Sequence, residues 1–479
     1  MKNKLYILLL AGVLAVAAGG CKAPALAPDE QIILPQAYLH GGADSTHIGG
    51  LPWKQFFPDP ILQGYIQTAL ENNHSFRQSM ERVAMARTQV RMKKGALFPE
   101  LTIGAQAGVQ KFGEYTMDGV GNSTTNTPDL AKEKHIPDPY RDFNLGIGFQ
   151  WEADIWGKLN QKRRGAAARW MASKEAARLA QTTLISEVAA QYFELVGLDK
   201  QLATLKRAIT DTQASYELTY QLKQEGEITQ LAVDQFKSRL LRLEGMLVET
   251  ELQIGEKERS LATLMGVFPF AVQRITFEEM NCLNFPIEAG VPSQLLQLRP
   301  DVRAAELELI ASKADLSAAR RAFFPSLQIG GSAGFNAFDI SRWFTSPASL
   351  VYSLGAGLTA PLFKQYEIRG LWENARAGQR IALEGYHETV LKAYEEVTNL
   401  IVSSERTHKR KELKREESEV HHRSIDHANE LFKLSFVGYL EVLSADERYL
   451  DCELEYAALS AQCCITKALL YRALGGGSL

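Results

Sequence analysis

Phe98-Pro99-Glu100-Leu101-Thr102-Ile103-Gly104 recurs 226 positions later as Phe324-Pro325-Ser326-Leu327-Gln328-Ile329-Gly330. At the same offset Asn73, Arg77 and Gly108 fall on Arg299, Arg303 and Gly334. Further on, Leu145-Gly146-Ile147-Gly148 recurs as Leu354-Gly355-Ala356-Gly357 at an offset of 209, which also relates Glu187 to Glu396, Leu231 to Leu440, Val233 to Val442, Leu261 to Leu470 and Gly266 to Gly475. The chain is two copies of one unit that differ mainly in the segment between the two matched blocks.

Each copy carries two segments that alternate with a period of two, the repeat of a strand with unlike faces. Leu101, Ile103, Ala105, Ala107 and Val109 oppose Thr102, Gly104, Gln106, Gly108 and Gln110; Phe143, Leu145, Ile147, Phe149 and Trp151 oppose Asn144, Gly146, Gly148, Gln150 and Glu152. In the second copy Leu327, Ile329, Ala333 and Phe335 oppose Gln328, Ser332 and Asn336, and Tyr352, Leu354, Ala356, Leu358 and Ala360 oppose Ser353, Gly355, Gly357 and Thr359. About 9 to 11 residues is the length a tilted strand needs to cross hydrocarbon. A sheet in lipid must close, because open edges leave backbone groups unsatisfied. Four strands cannot close, so copies must associate: two would give eight strands around a filled interior, three would give twelve around a lumen. Polar faces rich in Gly, Ser and Gln suit water, which favours three. The connections from about 113 to 142 and 337 to 350 are polar and read as extracellular tips.

No proline lies between Pro139 and Pro269 or after Pro361, and both stretches are rich in good helix formers. Breaks near Gly226 and from Ser435 to Gly438 predict, in each copy, one arm of about 65 residues, near 100 Å, and a shorter return arm. Between Glu405 and Glu430 the apolar residues are sparse, as expected of helices that touch only lateral neighbours with water on both other faces.

Of the 479 residues, 53 are basic and 56 acidic, a formal charge of -3, which gives no field to hold nucleic acid. Lys2 and Lys4 precede an apolar run from Leu5 to Ala18, too short for a transmembrane helix and fitting a secretory signal over residues 1–20. The run ends Ala18-Gly19-Gly20-Cys21, which resembles a bacterial lipoprotein box and makes Cys21 the expected lipidated residue. Ala18 stands where such boxes usually carry Leu, and ordinary cleavage after Ala17 is the alternative. Residue 22 is Lys and not Asp, which by analogy with sorting signals directs the chain to the outer membrane. The five cysteines form no CxxC pair and no zinc spacing. No disulfide framework is expected; Cys452, Cys463 and Cys464 read as small packing residues, with a redox pair at 463 and 464 as the alternative.

Leu298-Arg299-Pro300-Asp301-Val302-Arg303-Ala304-Ala305-Glu306 through Phe324-Pro325-Ser326-Leu327 resembles the signature of TolC-like outer-membrane factors, specifically the OprM/NodT-type lipoproteins of RND efflux pumps. Trp151 to Lys158, Tyr439 to Leu443 and Leu470 to Gly477 are similar to further blocks of that family. The resemblance implies a mainly α protein with membrane β: a homotrimer whose twelve-stranded β-barrel, four strands per chain, is continued by a long periplasmic α-helical barrel. It implies a periplasmic membrane-fusion adaptor and an inner-membrane RND transporter as partners, outer-membrane lipid around the barrel, and no cofactor. The expected divisions are 21–98 for the lipidated N-terminus, equatorial segment and first helix; 99–156 and 325–363 for the membrane hairpins; 157–267 and 364–479 for the helical hairpins; 268–298 for an equatorial linker; and 299–324 for the helix of the second copy. In the family the periplasmic end is narrowed by hairpin tips and often ringed by acid, which makes Glu441, Ser444, Gly226 and Asp234 candidates for the aperture. Ser444 stands where Asp is common, Ser435 where the tip glycine is common, and Ala232 matches Glu441 in the first copy.

No enzyme motif is present. Gly157-Lys158 lacks the rest of a phosphate loop, there is no GxSxG or HExxH, and His422 with Asp426 reads as a solvated or hydrogen-bonded pair rather than a metal site. The function expected is a passive outer-membrane exit duct for drugs or other small toxic substrates. The alternatives are the exit channel of a protein secretion system and a helical ligand-binding surface lipoprotein.

Overall fold

A computed structural model describes residue 35 and residues 50–280, 292–360, 365–434 and 436–477. The expectations for residues 1–20, Cys21 and Ser435 lie outside the described residues. Ten principal elements follow one order twice. The first copy has α1 (His74–Gly95), β1 (Glu100–Gln110), β2 (Tyr140–Ala153), α2 (Lys158–Gln224) and α3 (Gln230–Leu264). The second has α4 (Pro300–Arg321), β3 (Ser326–Ala337), β4 (Leu350–Thr359), α5 (Gln365–Lys433) and α6 (Tyr439–Ala473). The long arms have 67 and 69 residues and the return arms 35 each. Ahead of the first copy, Pro60–Asn72 forms a helix started by Asp59, whose carboxylate accepts from the Ile61 N–H, with proline at the first helical position.

Two compact units are described separately. One comprises residues 85–170 and 308–382; the other holds 50–84, 171–307 and 383–477.

In the first unit the four alternating segments form one antiparallel sheet in the order β1-β2-β3-β4. Its register pairs like faces throughout: Leu101 with Phe149, Leu145 with Phe335, Ala333 with Tyr352. β2 runs to 14 residues, longer than its alternation suggested, because Tyr140 and Arg141 still pair with Gln110 and Val109. The connection before β2 contains a helix, Met117–Thr125, in a stretch whose composition reads as polar loop. Below the sheet Trp156 stacks on Phe324, centroids 5.1 Å apart, and Arg169 of α2 bonds Glu308 and Asp315 of α4.

In the second unit Leu62, Ile66, Ile185, Val188, Tyr192, Leu195, Leu261, Val397 and Leu470 are almost fully buried in one core. Each such side chain contributes roughly 1.5–3 kcal/mol. Phe56 lies flat on Tyr471, rings 4.0 Å apart and nearly parallel. The segment after α3 is fastened by Arg274, which bridges Asp199 and Glu258. The polar stretch of α5 packs through small hydroxyls rather than an apolar stripe: Ser404, Thr407 and Ser418 are buried, and Ser418 bonds Glu453 of α6.

Candidate channel surfaces and hairpin tips

The sheet offers the first candidate surface. Its apolar face is bare along β1 and β4, where Leu101, Ile103, Tyr352 and Leu354 are 73%, 76%, 82% and 77% exposed. A sheet in water covers such a face, since patches of this extent drive association. The opposite face carries the glycines and a polar ladder in which the Ser332 and Ser353 hydroxyls meet at 2.7 Å. β1 and β4 lie at the two edges of the sheet and have one strand neighbour each among the described residues. No described helix is long and apolar enough to cross a membrane.

The turns between long and return arms offer the second. α2 ends where Gly226 turns left-handed at φ 82°, a conformation that costs an L side chain and that lets the Glu227 N–H reach the Leu222 carbonyl at 3.0 Å. Asp234, on the first turns of α3, is exposed and accepts from Gln230 Nε2 at 2.8 Å. Glu441 and Ser444 are exposed on the first turns of α6. The Glu441 carboxylate folds back toward Gly438, so that a Cβ there would meet its Oε2 at 3.1 Å, and it sits beside the positive end of the helix. Ala232, the counterpart of Glu441, is fully buried. Among the described residues no polar contact joins Asp234 to Glu441 or Ser444.

What does join the two return arms is Arg239. Its side chain is 5% exposed, it donates to the Leu443 carbonyl at 3.0 Å, and it pairs with Asp446; its Nε is buried without a partner among the described residues. Burial pushes the Asp446 carboxyl above the ordinary aspartate range; Arg239 pulls it down, while Asp211 and Glu447 push it further up. Arg242 pairs with Glu447, and the Phe236 and Tyr439 rings lie 6.4 Å apart. Sequence reading missed this link. Its signal was a cation placed within the stripe Ala232, Val233, Phe236, Leu240, Leu243 that α3 buries.

The family model of outer membrane efflux proteins matches residues 65–267 and 291–476, nearly the whole of both copies. The chain belongs to the outer membrane efflux protein family. This efflux protein is 28% identical to the pyoverdine export outer membrane protein OpmQ of Pseudomonas putida over 89% of its own length and 88% of that protein's. It is 29% identical to outer membrane protein OprJ of Pseudomonas aeruginosa, covering 97% and 95% of the two chains. Its fold matches the crystal structure of CusC with a TM-score of 0.81, at 23% identity over 94% of this chain and all of that one.

Elsewhere in the efflux protein, His422 packs against the Tyr449 ring at 5.4 Å and no group of metal-ligating side chains occurs among the described residues. The cysteines correct one expectation. Cys452 and Cys463 are free and buried, as packing residues should be, but Cys464 is disulfide-bonded. The adjacent pair is therefore not a redox couple: the two side chains diverge around the helix and only one is bonded.

Proposed function

We propose that this efflux protein is the passive exit duct of a tripartite pump, receiving drug-like or metal-ion substrates from an inner-membrane RND transporter through a periplasmic adaptor. Three copies join β4 of one to β1 of the next and close a twelve-stranded barrel in the outer membrane, continued by a periplasmic barrel of the helical hairpins. The observation that carries this reading is the sheet with a bare apolar face and two edges lacking a second strand neighbour: in lipid both demands are met only by closure with other copies. Cys21 supplies a lipid anchor. The hairpins of residues 157–267 and 364–479 narrow the periplasmic end at tips that carry Gly226, Asp234, Glu441 and Ser444, and the aperture widens when adaptor and transporter engage. Three copies of Glu441 around one axis repel one another and attract cations. Energy comes from the transporter, and the duct itself performs no chemistry.

The test is the mass of the purified protein in detergent together with its conductance in planar bilayers. A trimer that conducts, with cation preference reduced by Glu441→Ala, supports the reading; a soluble monomer with no conductance under any condition sinks it.

A further inference from the structure

At the end of the sheet where β1 joins β2 and β3 joins β4, the two strand connections build a pocket of about 730 Å³. Lys132, Lys134, Arg141 and Arg342 line it, against two carboxylates, Glu133 and Asp339. Arg342 bonds Glu133 at 3.2 Å, which ties the two connections together. The first connection is further held by Asn126, which bonds both the N–H and the carbonyl of Ile136, and by the His135 ring, which donates to the Leu130 carbonyl at 3.0 Å. Asp339 accepts from the Ser341 N–H and hydroxyl, and those bonds, with Arg141 and Arg342 nearby, hold its carboxyl below the usual range. Lys132, Lys134 and Arg141 are exposed and form no ion pair among the described residues. The pocket thus carries a surplus of two positive charges, and among the described residues three of its cations form no ion pair.

Its position gives the second observation. Arg141 precedes Phe143 and Leu145 on the apolar face of β2, and Phe335, paired with Leu145, lies on the same face. Against that face fold Trp343 and Phe344, stacked 5.2 Å apart and packed on Phe143 and Phe335 at 5.7 Å each. A band of aromatic side chains on the lipid-facing side of a barrel marks the level of the headgroups. The cationic pocket adjoins that band, where the phosphates of a membrane lipid lie.

We infer that this pocket binds phosphate monoesters, and that their source is the phosphorylated glycolipid of the outer leaflet, whose sugar-phosphate headgroup would enter the pocket while its acyl chains cover the apolar face below. The inference rests on the membrane-barrel reading above. Arg and Lys are the side chains suited to phosphate, Arg as a planar fork and Lys as a point charge; Arg141 is held on β2, and Lys132, Lys134 and Arg342 on short helical turns of the two connections.

The test uses the full-length protein in detergent, with bisphosphorylated lipid A, its dephosphorylated form and inorganic phosphate as probes, read by native mass spectrometry. Bisphosphorylated lipid A should remain bound and the dephosphorylated form should not. Joint replacement Lys132→Ala, Lys134→Ala and Arg141→Ala should weaken binding about tenfold or more, the loss expected for charge-assisted contacts. The charge-keeping set Lys132→Arg, Lys134→Arg and Arg141→Lys should retain it, and millimolar inorganic phosphate should displace little. Equal binding of both glycolipids, or full binding by the alanine variant, overturns the inference. Complete displacement by inorganic phosphate overturns the lipid source. Oligomer mass and conductance, read on the same samples, report on the channel reading separately: a conducting trimer that ignores lipid A fails this inference alone.

Discussion

Arg299 does in the second copy what Asn73 does in the first: Asn73 Nδ2 donates to the Leu264 carbonyl and Arg299 Nη1 to the Ala473 carbonyl, both at 2.8 Å. The acceptors end the two return arms and are themselves related by the offset of 209. The glycines that follow agree, since a Cβ on Gly266 would strike the Asn72 carbonyl oxygen at 2.5 Å and one on Gly475 the Leu298 carbonyl oxygen at 2.7 Å, both with left-handed φ. The duplication is thus preserved as a contact, with one donor exchanged for a charged one. Arg299 also binds Asp301 and Glu396, so its removal orphans carboxylates as well as a carbonyl. Arg299→Ala should cost about 3–5 kcal/mol and Asn73→Ala about 1–3 kcal/mol. Thermal midpoints in detergent should show that order; the reverse would contradict the assignment of roles.

Face assignment in the sheet predicts an asymmetry between neighbours. In the proposed barrel Leu354→Arg would put a charge on the lipid side and should cost about 2–4 kcal/mol at mid-membrane, seen as lost insertion into the outer membrane. Ser353→Arg, one residue away on the polar face, should insert and alter conductance instead.

The link between the return arms should restrain the tips. Arg239→Ala and Asp446→Ala should each raise bilayer conductance, and the double variant should raise it little beyond either one, because the residues act as one bonded pair with coupling of about 0.5–3 kcal/mol. Strict additivity would show that they act independently.

Acid should weaken the contact of α5 with α6. Lys414 bonds Glu417 at 2.8 Å and Glu455 at 2.9 Å. Hydrogen bonding to Lys414 is the main force holding both carboxyls below their ordinary value. Stability from such groups is present above the unfolded-chain value, near 4.5, and is lost as pH falls through the lowered folded values. Wild-type protein should therefore lose more thermal stability than Lys414→Met between neutral pH and pH about 3; equal losses would deny the network a role.

Thiol chemistry separates the cysteines of α6. Cys452 is 2% exposed and burial pushes its thiol up to about 11, which leaves about one molecule in a thousand as thiolate at pH 8. Cys452 and Cys463 should resist maleimide in the native protein and react after denaturation. Cys464 should react only after denaturation and reduction, as peptide mapping would show.

Much of the architecture was written in periodicities. Alternation over Leu101–Val109 and its three counterparts located the strands because one face is apolar and the other small and polar. Gly226 marked a helix end because the turn needs a left-handed residue. Three features lacked any such signature. Met117–Thr125 contains two glycines and three hydroxyl residues, a composition of loops, and is helical through the Thr116 side chain, which caps it by accepting from the Gly119 N–H. The Arg239 link joins residues 207 apart, a relation no local pattern encodes. The bonding of Cys464, unlike that of its neighbour, depends on what each side of α6 faces. Of the tip candidates, exposure could be foreseen for Glu441 and Asp234, whereas the burial of Ala232 follows from packing between helices.

The two outer strands of the sheet are unlike each other, so in the proposed barrel copies would add head to tail, and a ring would be finished only when the last β4 finds the first β1. A molecule with a spoiled β4 but a sound β1 could still be recruited by a healthy neighbour and would then leave the ring with a gap. Co-expressed with intact protein, such a molecule would poison whole assemblies, so a minority of defective subunits could disarm a cell's efflux out of proportion to its number.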